Sequence, residues 1–139
     1  MTGFIRFQRY EYDAEEWHVG ITASNGAIQS YDEIYCYPTD LKNFASALKS
    51  FPSGINDEFK FEQGMEDKRS DCYLLLKIYV RDSAGHCAIQ VRMNNNRDGV
   101  YEGLAAFAIK AEAASLNSLG NSLDQFATGN NRDFRIDFS

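Results

Sequence analysis

Proline and histidine are scarce in this 139-residue chain, with two of each, and tryptophan occurs once. Two histidines cannot build a multi-histidine metal centre, and neither His18 nor His86 belongs to an H-x-x-x-H or H-E-x-x-H pattern. The three cysteines include no C-x-x-C pair, and their odd number leaves one outside any complete disulfide framework. Phosphate loops of the G-x-x-x-x-G-K-[ST] and G-x-G-x-x-G kinds are missing, as is the G-x-S-x-G nucleophile turn. No apolar run approaches the ~20 residues of a membrane-spanning helix, and the opening Met1–Arg6 carries no signal-peptide apolar region. These absences lead to the expectation of a cytoplasmic protein with no metal, no cofactor and no membrane contact.

What is present fits one globular domain over residues 1–139. Hydrophobic residues make up 44% and charged residues 24%, enough apolar surface for a core without staples. Aromatics at 14%, mostly Tyr and Phe, favour sheet. The net charge of −6 argues against nonspecific nucleic-acid binding, so no nucleic-acid partner is expected. Acid gathers in two stretches, Glu11, Asp13, Glu15 and Glu16, then Asp57, Glu58, Glu62, Glu66 and Asp67. Either they form a solvated surface or they dock a basic partner.

Period-two alternation is the strongest pattern. Cys72, Leu74, Leu76, Ile78 and Val80 are apolar at every second position, and so are Cys87, Ile89, Val91 and Met93. Both runs read as strands with one buried face. For both apolar sets to meet one core, an even-numbered residue of the first strand must pair with an odd-numbered one of the second, and pairing Val80 with Cys87 and Ile78 with Ile89 achieves this. That leaves Asp82-Ser83-Ala84-Gly85 as the loop, with Asp opening the turn and Gly taking the positive φ at its end. Shifting by one residue would turn one apolar set to solvent. The other face then holds Tyr73, Lys77, Tyr79, Arg81 and Arg92.

Elsewhere, Phe4–Tyr10 and Trp17–Ala23 read as strands, and Ser24-Asn25-Gly26 as a hairpin turn into a strand over about 27–37. That strand puts Ile34 and Cys36 on one side and Tyr31, Glu33, Tyr35 and Tyr37 on the other. Pro38 and Pro52 bracket a helix striped by Leu41, Phe44, Ala45, Leu48 and Phe51, with Thr39 or Asp40 as its cap. Phe59 and Phe61 mark a short strand, and 104–111 a further one. Ala113–Ala127 reads as a second helix, where Gly120 implies close packing against a neighbour. Phe134, Ile136 and Phe138 close on an edge strand. The expected class is α+β, a mainly antiparallel sheet of six to seven strands with two helices packed on one face.

Catalysis finds little support. His86 and Cys87 are adjacent in a strand and point to opposite faces, and His18 and Cys36 fall on opposite parities. The cysteines lie on apolar parities, which reads as reduced core thiols. The tyrosine- and cation-bearing faces are therefore the candidate partner-binding surface: Tyr73, Lys77, Tyr79, Arg81, Arg92, Tyr31, Tyr35 and Tyr37. Tyr and Arg are the side chains most enriched at interface hot spots.

Trp17-His18-Val19, Tyr35-Cys36-Tyr37-Pro38 with Leu41, Phe44, Leu48 and Phe51-Pro52, Asp82-x-x-Gly85-His86, and Leu116-Asn117-x-Leu119-Gly120 together resemble a family of small uncharacterised bacterial proteins. Small acidic proteins of this kind resemble immunity proteins of bacterial toxin systems. The resemblance implies a non-enzymatic protein-binding module that neutralises a cognate toxin. The competing expectations are a homodimeric assembly subunit that uses the tyrosine face, and an enzyme with an unrecognised site.

Overall fold

The structure, a computed structural model, describes residues 2–10, 15–67 and 70–138. Its elements run β1 (Gly3–Tyr10), β2 (Trp17–Ser24), β3 (Gln29–Cys36), α1 (Pro38–Lys49), β4 (Glu58–Gly64), β5 (Tyr73–Val80), β6 (Cys87–Asn94), β7 (Leu104–Ala111), α2 (Ala113–Ala127) and β8 (Asp133–Phe138). The α+β class holds, and every strand pairing is antiparallel. A single sheet of six to seven strands does not form. The eight strands make two four-stranded sheets, ordered β3-β2-β1-β8 and β4-β5-β6-β7. Alternation says which side of a strand is buried, but two sheets facing one core satisfy the same pattern as one sheet under two helices.

The central hairpin has the register that parity demands. Val80 pairs with Cys87, Ile78 with Ile89, Tyr79 with Ala88, Lys77 with Gln90 and Leu75 with Arg92. Gly85, at φ +89°, donates its N–H to the Asp82 carbonyl at 3.2 Å. The Asp82 Oδ1 accepts from the Ala84 and His86 amides, so its side chain holds the turn shut. β8 is indeed an edge strand, paired with β1 at the rim of the first sheet.

Helix α1 starts two residues earlier than a Thr39 cap and three earlier than an Asp40 cap would place it. Tyr37 is the N-cap residue, Pro38 occupies the first turn, and Asp40 Oδ2 accepts from the Tyr37 amide at 3.0 Å. The proline needs no hydrogen-bond partner there, which lets the helix begin on it. Lys49 Nζ reaches Asp124 Oδ2 on α2 at 2.7 Å.

Each helix covers the sheet that it does not follow in the chain. α1 follows the first sheet's β3, yet Phe44 stacks on Phe61 of β4 at 4.7 Å, and Phe51 just beyond it meets Phe59 edge-on. α2 follows the second sheet's β7, yet its Phe126 packs against Phe7, Trp17 and Phe134 of the first sheet. The buried side chains of both sheets and both helices join in one core. The sheets' other faces carry the polar and aromatic residues.

Candidate functional site

Antiparallel pairing sets the exposed face of the second sheet in rows. One row reads Glu58, Tyr79, Ala88 and Lys110; the next Lys60, Lys77, Gln90 and Ala108; the third Glu62, Leu75, Arg92 and Ala106. The three rows hold four cations, Lys60, Lys77, Arg92 and Lys110, against two carboxylates, Glu58 and Glu62. The whole chain has the opposite balance, −6. Ala106 and Ala108 of β7, with Phe107 between them, border a shallow trough of about 500 Å³ walled by Lys77, Tyr79 and Gln90.

Four of the candidate contact residues, Tyr73, Lys77, Tyr79 and Arg92, map to this sheet, and Arg81 to the turn at its edge. Lys77 and Tyr79 border the trough. Arg92 is held at its edge: Glu66 grips its guanidinium at 2.9 Å and Asn94 donates to the same carboxylate. The Arg92 hydrogen bond in turn keeps the Glu66 carboxyl below its ordinary range. Tyr73 is buried and donates its hydroxyl to Glu62, and burial with this bond pushes it up to about 12. Arg81 lies past the end of β5, 3.7 Å from Asp82.

Of the remaining three candidates, Tyr31 and Tyr35 belong to the other sheet, so the two tyrosine sets do not merge into one surface. On the first sheet's exposed face, the Tyr10 and Tyr31 hydroxyls are 2.6 Å apart and the His18 ring stacks on Tyr35 at 4.7 Å. The His18 Nε2 is 2.7 Å from Glu33 Oε1. Gly20 makes this cluster fit: a Cβ there would stand 2.6 Å from the Tyr31 hydroxyl oxygen. Burial and the Tyr10 bond lift the Tyr31 hydroxyl well above its usual range. Tyr37 is exposed at the head of α1 rather than on the strand. Charges on this face are matched, with Arg6 on Asp133 and Arg135 on Asp137.

Of the acidic stretches, Glu11 and Asp13 lie outside the described residues. In the second stretch, Glu58 pairs with Lys77, Glu62 with Tyr73 and Lys60, and Glu66 with Arg92. They shape the basic face instead of forming an acidic one. His18 and Cys36 are kept apart by register, since Trp17 opposes Cys36 and His18 opposes Tyr35.

Three features escaped the sequence reading. Lys60 and Lys110 reach the basic face only once β4 and β7 are known to flank β5 and β6. The alanines of the floor, Ala106 and Ala108, both lie on β7, but they border a trough only because β7 flanks β6, which sets them beside Gln90 and Lys77. Asp32 occupies an inward position on β3 and is 9% exposed. Counting back by twos from Cys36 and Ile34 reaches Asp32, so the signal for a buried carboxylate was present.

No family model matches the chain, and no curated protein matches it in sequence. Solved structures do share its fold. The plant transcriptional regulator PBF-2 superposes with a TM-score of 0.54 at 14% identity, covering 92% of this chain and 78% of that one. WHY3 from Arabidopsis thaliana gives 0.54 at 10% identity, covering 91% and 80%. These neighbours overturn the expectation of an immunity protein that neutralises a toxin, and with it the exclusion of nucleic acid as a partner. The charge argument failed because net charge belongs to the whole chain, whereas a contact is made by one face. The exposed face of the second sheet carries a charge balance opposite to that of the whole chain.

Proposed function

We propose that the chain is a non-enzymatic module that binds single-stranded nucleic acid on the exposed face of the second sheet. The observation that carries this reading is the alanine-floored trough between Lys77, Tyr79 and Gln90. An unpaired base offers a flat face that lies on Ala106 and Ala108 beside the Tyr79 ring. Lys60, Lys77 and Lys110 stand along the path of the phosphates, and among the described residues Lys110 has no ion-pair partner to give up. The role of PBF-2 as a transcriptional regulator supports a nucleic-acid partner for the same fold. In this reading Cys36, Cys72 and Cys87 stay free thiols, as in a reducing cytoplasm.

Fluorescence anisotropy with labelled single strands of about 12 nucleotides, DNA and RNA, tests it against a matched duplex. The expected result is binding of single strands that weakens as salt rises. The double variant Lys77→Glu, Lys110→Glu is expected to lose at least roughly tenfold in affinity with an unchanged circular dichroism spectrum. Absence of binding by every strand at roughly 50 mM salt rejects the reading.

A further inference from the structure

The exposed face of the first sheet holds a preformed aromatic platform. The Tyr31 ring of β3 reaches across Gly20 of β2, where an added Cβ would stand 3.0 Å from the Tyr31 Cε1 and 2.6 Å from its hydroxyl oxygen. Glycine at that point lets the ring lie down on the sheet, a common reason for glycine inside a strand. The Tyr10 hydroxyl, 2.6 Å from that of Tyr31, holds the far end of the ring. Tyr31 is still 46% exposed, so its outer side is open to solvent.

A cleft of about 210 Å³ joins this platform to the basic face, because its wall includes both Tyr31 of the first sheet and Leu104 of the second. Leu104 is exposed on the same side of β7 as Ala106 and Ala108 of the trough. Successive residues of that row are about 7 Å apart, close to the span of one nucleotide in an extended single strand. Two such steps lead from the trough to the cleft. The wall there is fixed by Asn95, which donates to the Tyr101 carbonyl at 2.8 Å and accepts from the Gly103 amide at 3.0 Å. Beyond the cleft, Arg6 and Arg135 of the first sheet are held by Asp133 and Asp137. That face therefore offers a stacking surface rather than a track for phosphates.

We propose that the bound strand passes from the trough over Leu104 and lays a further base on the Tyr31 ring, so that one strand spans both sheets, an inference that rests on the single-strand reading above. Any of the bases has a flat face to offer, so the platform adds affinity without choosing sequence. Stacking removes water from the ring and the base together. The ring gives up little freedom on binding, because Gly20 and Tyr10 already fix its position.

Anisotropy titrations of single strands of about 12 nucleotides against the wild type, Tyr31→Ala and Tyr31→Phe test this. Tyr31→Ala is expected to lose roughly fivefold or more in affinity with an unchanged circular dichroism spectrum, whereas Tyr31→Phe, which keeps the ring, stays within about twofold of the wild type. Photo-crosslinking of the wild type, with iodouracil moved through the strand, is expected to give adducts at Tyr31 and, from other positions, at Tyr79. Unchanged affinity in Tyr31→Ala, an equal loss in Tyr31→Phe, or adducts confined to the second sheet overturns the crossing and leaves the single-strand reading standing. If no strand binds at low salt, that reading falls and the crossing with it.

Discussion

Gly120 of α2 lies against Ala45 of α1 so closely that a Cβ at position 120 would stand 2.9 Å from the Ala45 carbonyl oxygen. It would also stand 2.9 Å from the Leu48 Cβ and the Lys49 amide nitrogen, two of the three neighbours being backbone. Glycine costs a helix interior about 1 kcal/mol against alanine, yet here it sets the distance between the two helices. Gly120→Ala is expected to destabilise by about 1–3 kcal/mol despite the better helix former, because neither backbone can yield cheaply. Urea denaturation followed by circular dichroism reads the shift. A stabilised variant would show that the helices separate freely.

Three residues before that contact, Asn117 closes the C-terminal end of α1. Its Nδ2 lies 2.8 Å from the Leu48 carbonyl, which also accepts from the Phe51 amide at 3.4 Å, and 3.0 Å from the Phe51 carbonyl just past the helix. Asn117→Ala removes the donor and strands half-buried acceptors, for an expected loss of about 1–3 kcal/mol. The same denaturation series measures it. An unchanged midpoint would mean that water serves these carbonyls equally well.

Asp32 gives the protein a stability that falls with pH over a defined window. Burial raises its carboxyl from 3.8 to about 6 in the folded chain. Below the lower value it is protonated in both states and costs nothing extra. Between the two the unfolded chain releases the proton first, so folding loses ground, and above about 6 the penalty is constant. Asp32→Asn is expected to match the wild type near the lower value and to exceed it by on the order of 2–3 kcal/mol at neutral pH. Thermal melts of both proteins across that range check it. A difference independent of pH contradicts the assignment.

Thiol chemistry offers an independent measurement. Burial pushes Cys36 and Cys72 up to about 12, with the Asp32 charge adding to the effect at Cys72, and burial raises Cys87 as well. Labelling by a disulfide reagent at mildly alkaline pH is expected to run at least about tenfold slower in the folded protein than in denaturant. Cys72 is half-buried, so access alone does not protect it; Asp32→Asn is expected to speed its labelling. A thiol that reacts at once in the folded state argues against this picture.

The sequence made the hairpin of β5 and β6 legible down to its register, because parity buries Leu74, Leu76 and Ile78 with Ile89, Val91 and Met93, and the Asp82–Gly85 turn chemistry picks one register of that parity. The helices were legible too, since Pro38 and the glycine following α2 mark ends that local chemistry dictates. Strand partnership was not. β8 pairs with β1 across almost the whole chain, and no periodicity within either strand records the other. The basic face was hidden for the same reason: Lys60 and Lys110 meet Lys77 only through neighbours chosen by long-range pairing. Asp32, by contrast, was within reach, and was passed over because a polar residue among tyrosines reads as exposed.

The crossed allegiance of the helices bears on how the molecule comes apart. Phe44 packs on Phe61 of the sheet that follows its helix, and Phe126 on Phe7 and Trp17 near the other end of the chain, so neither half owns a complete core. Amide protection in the two sheets should therefore vanish at one common denaturant concentration, not in two steps. Cutting the backbone in the exposed turn at Ser53–Asn56 should give two fragments that are unstructured apart and recover the native spectrum on mixing. What the chain order presents as two consecutive meanders is, in folding terms, a single indivisible object.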